Sequence, residues 1–166
     1  MIVVSDTSLL NYLVLIESQH ILPKLFERIL IPAAVRQELG SVGAPDAIKQ
    51  FLATDPDWLG THRVSEVDPR LRQLDPRERE AIALSLSAAA DMLIVDEKRG
   101  REVAREVGLA VPGTLAVLGL GARRGLQDLS VALERLEQTT FRVSPSLLRY
   151  VRERRHDKKG RIREHE

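Results

Sequence analysis

Short runs of consecutive aliphatic residues recur along the chain: Ile2-Val3-Val4, Ile29-Leu30-Ile31, Met92-Leu93-Ile94-Val95 and Leu109-Ala110-Val111. Runs that are apolar throughout read as strands buried on both faces. The segments between them have helical spacing. Leu9, Leu10, Leu13 and Ile16 follow Asp6-Thr7-Ser8, residues that favour turns and helix caps. A second short helix is predicted from Ile21 to Phe26. Pro32 to Leu39 reads as a third, with Pro32 in its first turn and Gly40 closing it. Ala47 to Leu52 suggests another helical turn or two, and Trp58 to Val64 a poorly defined strand. Asp75-Pro76-Arg77-Glu78 is the clearest helix start: a cap, a first-turn proline, and a glutamate three residues after the cap. That helix is expected to continue through Ala81, Ile82, Leu84 and Leu86 to Ala90. Lys98 to Val107 is amphipathic and is followed by Gly108. Helices are predicted from Pro112-Gly113-Thr114 to about Ala122, from Val131 to Leu136, and from Pro145 to Val151.

Doubly buried strands alternating with helices call for an α/β fold with a central parallel sheet covered on both faces. A chain of 166 residues suits one domain with a real core. Hydrophobic residues make up 43% and aromatics only 4%, so the core is aliphatic and aromatic platforms for stacking bases are not indicated. The lone tryptophan, Trp58, reads as a packing anchor. The absence of cysteine excludes disulfides and thiolate metal sites and fits a cytoplasmic protein. No apolar run approaches the roughly 18 residues of a membrane span, and no signal-peptide pattern opens the chain.

The net charge of +1 hides an asymmetry. From Arg152 onward there are seven Lys/Arg and four Asp/Glu, leaving −2 on the rest. Residues 1–151 are therefore expected to form the domain, and 152–166 a basic, disordered tail.

Sites in open parallel sheets form beyond the carboxyl ends of the strands. Two predicted strands end directly in an aspartate, Asp6 and Asp96, which places both carboxylates on one rim. The second strand leads into the helix carrying Glu38. The helix that begins at Glu78 precedes the strand ending at Asp96, so its start returns to the same rim. Four carboxylates brought together raise one another's pKa unless a cation joins them. Oxygen donors without His or Cys suit Mg²⁺ or Mn²⁺. The four histidines, His20, His62, His156 and His165, lack ligand spacing.

The succession VVSDTS, LIPAAVRQEL, LDPREREAIALSLSAAADMLIVDEKRGR and VPGTLAVL resembles PIN-domain proteins over roughly residues 1–150. It is most similar to a bacterial and archaeal PIN-like subgroup whose members are mostly uncharacterised. The resemblance implies a three-layer α/β/α fold and a metal-dependent ribonuclease of the VapC-like kind. It further implies an RNA substrate, a homodimer and, where the protein is a toxin, a small antitoxin partner. Carried over by position, it assigns Asp6, Glu38, Glu78 and Asp96 as metal-binding and catalytic. Thr7 and Ser8 stand beside the first aspartate. Glu80, on a different helix face from Glu78, competes for the third place, and Glu97 is a peripheral carboxylate.

Each acidic residue also has an ordinary structural reading. Asp6 and Asp96 are common turn residues, Glu38 a surface residue near a helix end, and Glu78 a capping-box glutamate. Lys98, Arg99, Arg101 and Arg105 follow Asp96 and are candidates for contacting the nucleic-acid backbone, set against a solvated face paired with Glu102 and Glu106. Gly113-Thr114 resembles a family motif but reads as the cap of the next helix. The functional alternative is a non-catalytic PIN-like module that binds metal and a protein or RNA partner.

Overall fold

The computed structural model describes residues 1–150 together with Arg152 and Glu153. Four strands, β1 (Ile2–Ser5), β2 (Arg28–Pro32), β3 (Leu59–His62) and β4 (Met92–Ile94), form one parallel sheet in the order β3-β2-β1-β4. Val3 pairs with Ile29 and Met92, and Ile31 with Thr61. Helices α1 (Thr7–Leu15), α2 (Leu22–Leu25), α3 (Ala33–Leu39) and α4 (Asp46–Ala53) lie between the first three strands. Helix α5 (Pro76–Ser87) leads from β3 at one edge to β4 at the other, touching β2, β1 and β4. Helices α6 (Lys98–Glu106), α7 (Thr114–Arg123) and α8 (Leu129–Glu137) follow, and residues 145–150 are again helical.

The two-residue period of a strand sorts its side chains into two cores. Val3, Ile29, Ile31 and Ile94 join Leu9, Leu13, Leu22, Val35, Ile48, Leu118 and Leu133 on one side. Val4, Leu30, Leu93 and Val95 join Ala81, Ile82, Leu84, Val103 and Ala104 from α5 and α6 on the other. The result is the expected three-layer α/β/α arrangement. Trp58 packs against Phe51 with ring centroids 5.8 Å apart.

Three expectations change. Leu109–Val111 is not a strand, although it runs beside β4. Leu93 and Val95 donate to the carbonyls of Ala110 (2.9 Å) and Pro112 (3.4 Å). The return half of a ladder is missing: Pro112, whose carbonyl faces β4, has no N–H to give back. Helix α5 stops at Ser87 rather than Ala90. Ala89 is left-handed (φ 48°) and the Ala90 N–H returns to the Ser85 carbonyl, a terminating turn that aims the chain into β4. Pro32 ends β2 and sits one residue before α3 instead of in its first turn. Most of the expected tail, and Val151, lie outside the described residues.

The chain runs outward from β1 to β2 and β3, then returns across the sheet to place β4 on β1's other side. The strand order therefore reverses between β1 and β4. A crevice opens at such a switch point, beyond the strands' carboxyl ends.

Candidate metal centre

Asp6 and Asp96 stand at that crevice because each directly follows, or closely follows, one of its two strands. The Asp6 N–H donates to the Ile94 carbonyl at 3.2 Å, extending the ladder one residue and holding Asp6 against the end of β4. The Asp6 carboxylate caps α1, its Oδ1 accepting from the Ser8 N–H at 3.0 Å. The capping reading is thus correct, but it uses only part of the carboxylate. Asp96 is held by a residue 18 positions later: Thr114 donates its N–H to Oδ1 (2.9 Å) and its hydroxyl to Oδ2 (2.5 Å). Gly113 is the N-cap of α7, as expected, without a side-chain bond, while Thr114 serves Asp96.

Glu78 enters from the first turn of α5. Asp75 caps that helix, accepting from the N–H groups of Arg77 (2.9 Å) and Glu78 (3.2 Å). The Glu78 side chain is only 7% exposed, and its Oε1 is buried without a hydrogen-bond partner. It packs against Gly100, where a Cβ would come within 3.1 Å of Oε1. A capping-box glutamate would turn back to its cap; this one turns inward. Glu80 instead accepts from the Ala34 N–H at 3.4 Å, at the positive end of α3.

Burial pushes the Asp6 carboxyl up to about 7, and the facing charges of Asp96 and Glu78 push it the same way against the Ser8 and Leu9 amides. Burial, then Glu97 and Asp75, also raises Glu78 to about 7. Asp96 and Glu78 both act on Asp6, while Glu78 itself answers to Glu97, Asp75 and, in the opposite direction, Arg77, so the group is linked through Asp6. Glu38 is joined to it through Thr7, whose hydroxyl donates to Oε2 at 2.5 Å, and its Oε1 accepts from the Arg77 guanidinium. Among the described residues, the carboxylates whose oxygens lie within 4.8 Å of one another are Asp75, Glu78 and Glu97, sharing only Glu78 with the expected four.

A divalent cation fits this chemistry. The donors are hard oxygens, two are buried at the cost of raised pKa values, and one buried oxygen has no partner. An orphaned buried carboxylate oxygen calls for an explanation, and a bound ion supplies one.

A model of the PIN domain, the family designated DUF3368, matches residues 2–156. The chain belongs to the PIN-domain family. Members of that family are commonly metal-dependent nucleases, and a cluster of acidic residues, Asp75, Glu78 and Glu97, is present in this PIN domain. Among solved structures, a PilT N-terminus domain protein from the hyperthermophilic archaeon Sulfolobus solfataricus P2 is similar at 18% identity with a TM-score of 0.51. The match covers 72% of this chain and 92% of that one, a likeness of fold. No curated protein matches this PIN domain.

Several residues around the centre were not singled out as ligands from the sequence. Asp75 looked like a pure cap, and Arg77 carried no signal at all. Thr114 was legible only as a family motif. Of the basic residues after Asp96, Lys98 lies 3.9 Å from Glu102 and is almost fully exposed, and Arg99 donates to Gln73 at 3.0 Å. Arg105 is exposed, whereas Arg101 is half-buried with its Nε lacking a partner. Arg101 also lies near Gly113, beside Asp96.

Gly113 leaves no room for a side chain. A Cβ there would stand 2.8 Å from Asp96 Oδ1, and Thr114 holds that carboxylate by both of its oxygens. The backbone angle, φ −96°, is open to any residue. Gly113→Ala is expected to displace Asp96 without straining the chain. Mn²⁺ affinity should fall roughly 10- to 100-fold, the usual range for groups that orient ligands, with little change in melting temperature. Unchanged affinity by calorimetric titration would show that Asp96 does not need its present position.

Proposed function

We propose that this PIN domain is a Mg²⁺- or Mn²⁺-dependent endoribonuclease. The observation that carries the proposal is the Glu78 carboxylate, buried with an unpartnered oxygen close to Asp75 and Glu97, its charge also felt by Asp6 at the end of β1. Asp6, Glu78 and Asp96 would hold the ion, with Glu38 closing the set from α3. When bound, the ion activates a water and offsets charge building on the phosphate and leaving oxygen.

The protein's own part is positioning. Thr114 fixes the Asp96 carboxylate through two hydrogen bonds, and the Ser8 N–H fixes that of Asp6. Thr7 orients Glu38. The half-buried Arg101 guanidinium favours a phosphodiester approaching past Asp96, since a cation in that position gains from an anionic partner. Lys98, Arg99 and Arg105, all exposed, are further candidates for contacting the phosphate backbone.

RNA as substrate, a homodimeric state, a cytoplasmic location and control by a small antitoxin are supported by the resemblance to VapC-type toxins. Among the described residues no helix is long and apolar enough to cross a membrane. The test is cleavage of a single-stranded RNA panel by the purified chain. Cutting is expected with Mn²⁺ or Mg²⁺ and not in EDTA. Cleavage that persists in EDTA would sink the metal mechanism, and no cleavage in either metal would leave a binding module.

A further inference from the structure

Glu38 differs from Asp6, Glu78 and Asp96 in being ion-paired to a guanidinium. Its Oε1 accepts from Arg77 Nη1, and its Oε2 accepts from the Thr7 hydroxyl. The same guanidinium reaches Asp75 Oδ2 through Nη2 at 3.3 Å. Arg77 thereby bridges α3 and the start of α5. Its backbone N–H is bound by Asp75 Oδ1, so the base of the side chain is fixed and only its outer part can swing. Arg77 and Glu38 are both partly open to solvent, at 45% and 35% exposure, so the pair can part without leaving a buried unpaired charge.

Resting on the proposed metal centre, we infer that Arg77 is the internal counter-ion of Glu38 and that it competes with the divalent cation for this carboxylate. A guanidinium and a divalent ion on one oxygen repel each other, while Thr7 already engages the second oxygen. Cation entry therefore turns Arg77 away from Glu38. Arg77 is a positioning residue: it holds the Glu38 carboxylate before loading, and its pairing weakens loading.

A substitution at the edge of the site is expected to tighten the metal. Mn²⁺ is titrated into the full chain by calorimetry, comparing wild type with Arg77→Gln, Arg77→Lys, Glu38→Gln and the Arg77→Gln/Glu38→Gln double variant. Melting curves in EDTA check that each is folded. A half-exposed ion pair is a weak competitor, so Arg77→Gln should bind Mn²⁺ roughly fivefold more tightly than wild type. Arg77→Lys, which keeps the charge but loses the two-pronged contact, should fall between them. In the Glu38→Gln background, removing Arg77 should give a smaller gain, that of its field on Glu78 alone.

Equal or weaker Mn²⁺ binding by Arg77→Gln overturns the inference. So does a gain of undiminished size in the Glu38→Gln background, because it would reflect the general field of a removed charge. If neither wild type nor Arg77→Gln takes up Mn²⁺, the metal centre itself fails and the counter-ion role fails with it.

Discussion

Asp6→Asn is expected to lower RNA cleavage by at least about a hundredfold and, in the same protein, to raise the melting temperature of the metal-free chain at pH 8. Both effects follow from one carboxylate. Asn keeps the cap on α1, because its side-chain oxygen accepts from the Ser8 N–H as Asp6 Oδ1 does at 3.0 Å. It cannot supply the negative charge that holds an ion. Losing about 3 kcal/mol of the transition-state stabilisation such an ion provides corresponds to roughly a hundredfold in rate.

The stability gain arises because Asp6 is buried against Asp96 and Glu78, which is why its carboxyl is pushed up to about 7. A neutral amide there avoids that repulsion and can donate to either neighbouring carboxylate. A gain on the order of 5 °C is expected for a chain of this size. Asp96→Asn should share the loss of cleavage. Full activity in Asp6→Asn, with Mn²⁺ still bound, would remove Asp6 from the centre. Lost activity together with a lower melting temperature would make Asp6 a folding residue instead.

The second large effect is a dependence of stability on pH that is opposite in sign to ordinary acid denaturation. Asp6 has a reference value of 3.8 and is raised to about 7 in the folded chain. Between those values the folded state holds a proton that the unfolded state has released. Stability without metal must therefore rise as pH falls from about 8 towards 4. Above pH 7 the folded protein bears the full cost of the buried charge, at most about 4 kcal/mol for Asp6. Below the reference value that cost is gone. Glu78, also raised to about 7, acts in the same direction. Glu27 and Asp68, whose carboxyls are held below their usual range by the N-terminal amine and by Arg70, act oppositely, but only at more acidic pH.

A divalent cation should reverse the trend, since it favours the ionised carboxylates. Melting curves in EDTA and in Mn²⁺ across pH 5 to 8 check this. The increase due to Mn²⁺ should be largest at pH 8 and close to nothing at pH 5. A metal-independent curve, or a metal-free protein most stable at pH 8, would mean that the carboxylates do not face one another as described.

The fold was readable to the extent that it rests on local pattern. The apolar runs at Ile2–Val4, Ile29–Ile31 and Met92–Val95 became β1, β2 and β4, since a strand covered on both faces must be apolar throughout. Asp75-Pro76-Arg77-Glu78 announced α5 by its cap and first-turn proline, and both are present. Leu109–Val111 carried the same apolar signal and did not become a strand. Periodicity reports burial, whereas a ladder also needs donors, and Pro112, which faces β4, has none. The candidate site divides in the same way. Asp6 and Asp96 were legible because each stands at the end of an apolar run. The choice between Glu78 and Glu80 was not, since two residues on one helix cannot be told apart without knowing what each faces. In the folded chain Glu80 meets the N-terminus of α3, and Glu78 faces the crevice.

By itself, then, the sequence determined an α/β chain with buried parallel strands, the places where two of them release an aspartate, and the ordered motifs of a PIN domain. These are properties of neighbouring residues, set by side-chain period, cap chemistry and backbone donors. Only the tertiary structure decided that the strand order reverses between β1 and β4, which brings Asp6 and Asp96 to a single crevice. It also decided that Thr114 holds Asp96 and that Arg77 reaches Glu38, 39 residues away in the chain. Contacts over such separations depend on how the helices pack across the sheet, and no local spacing encodes that distance.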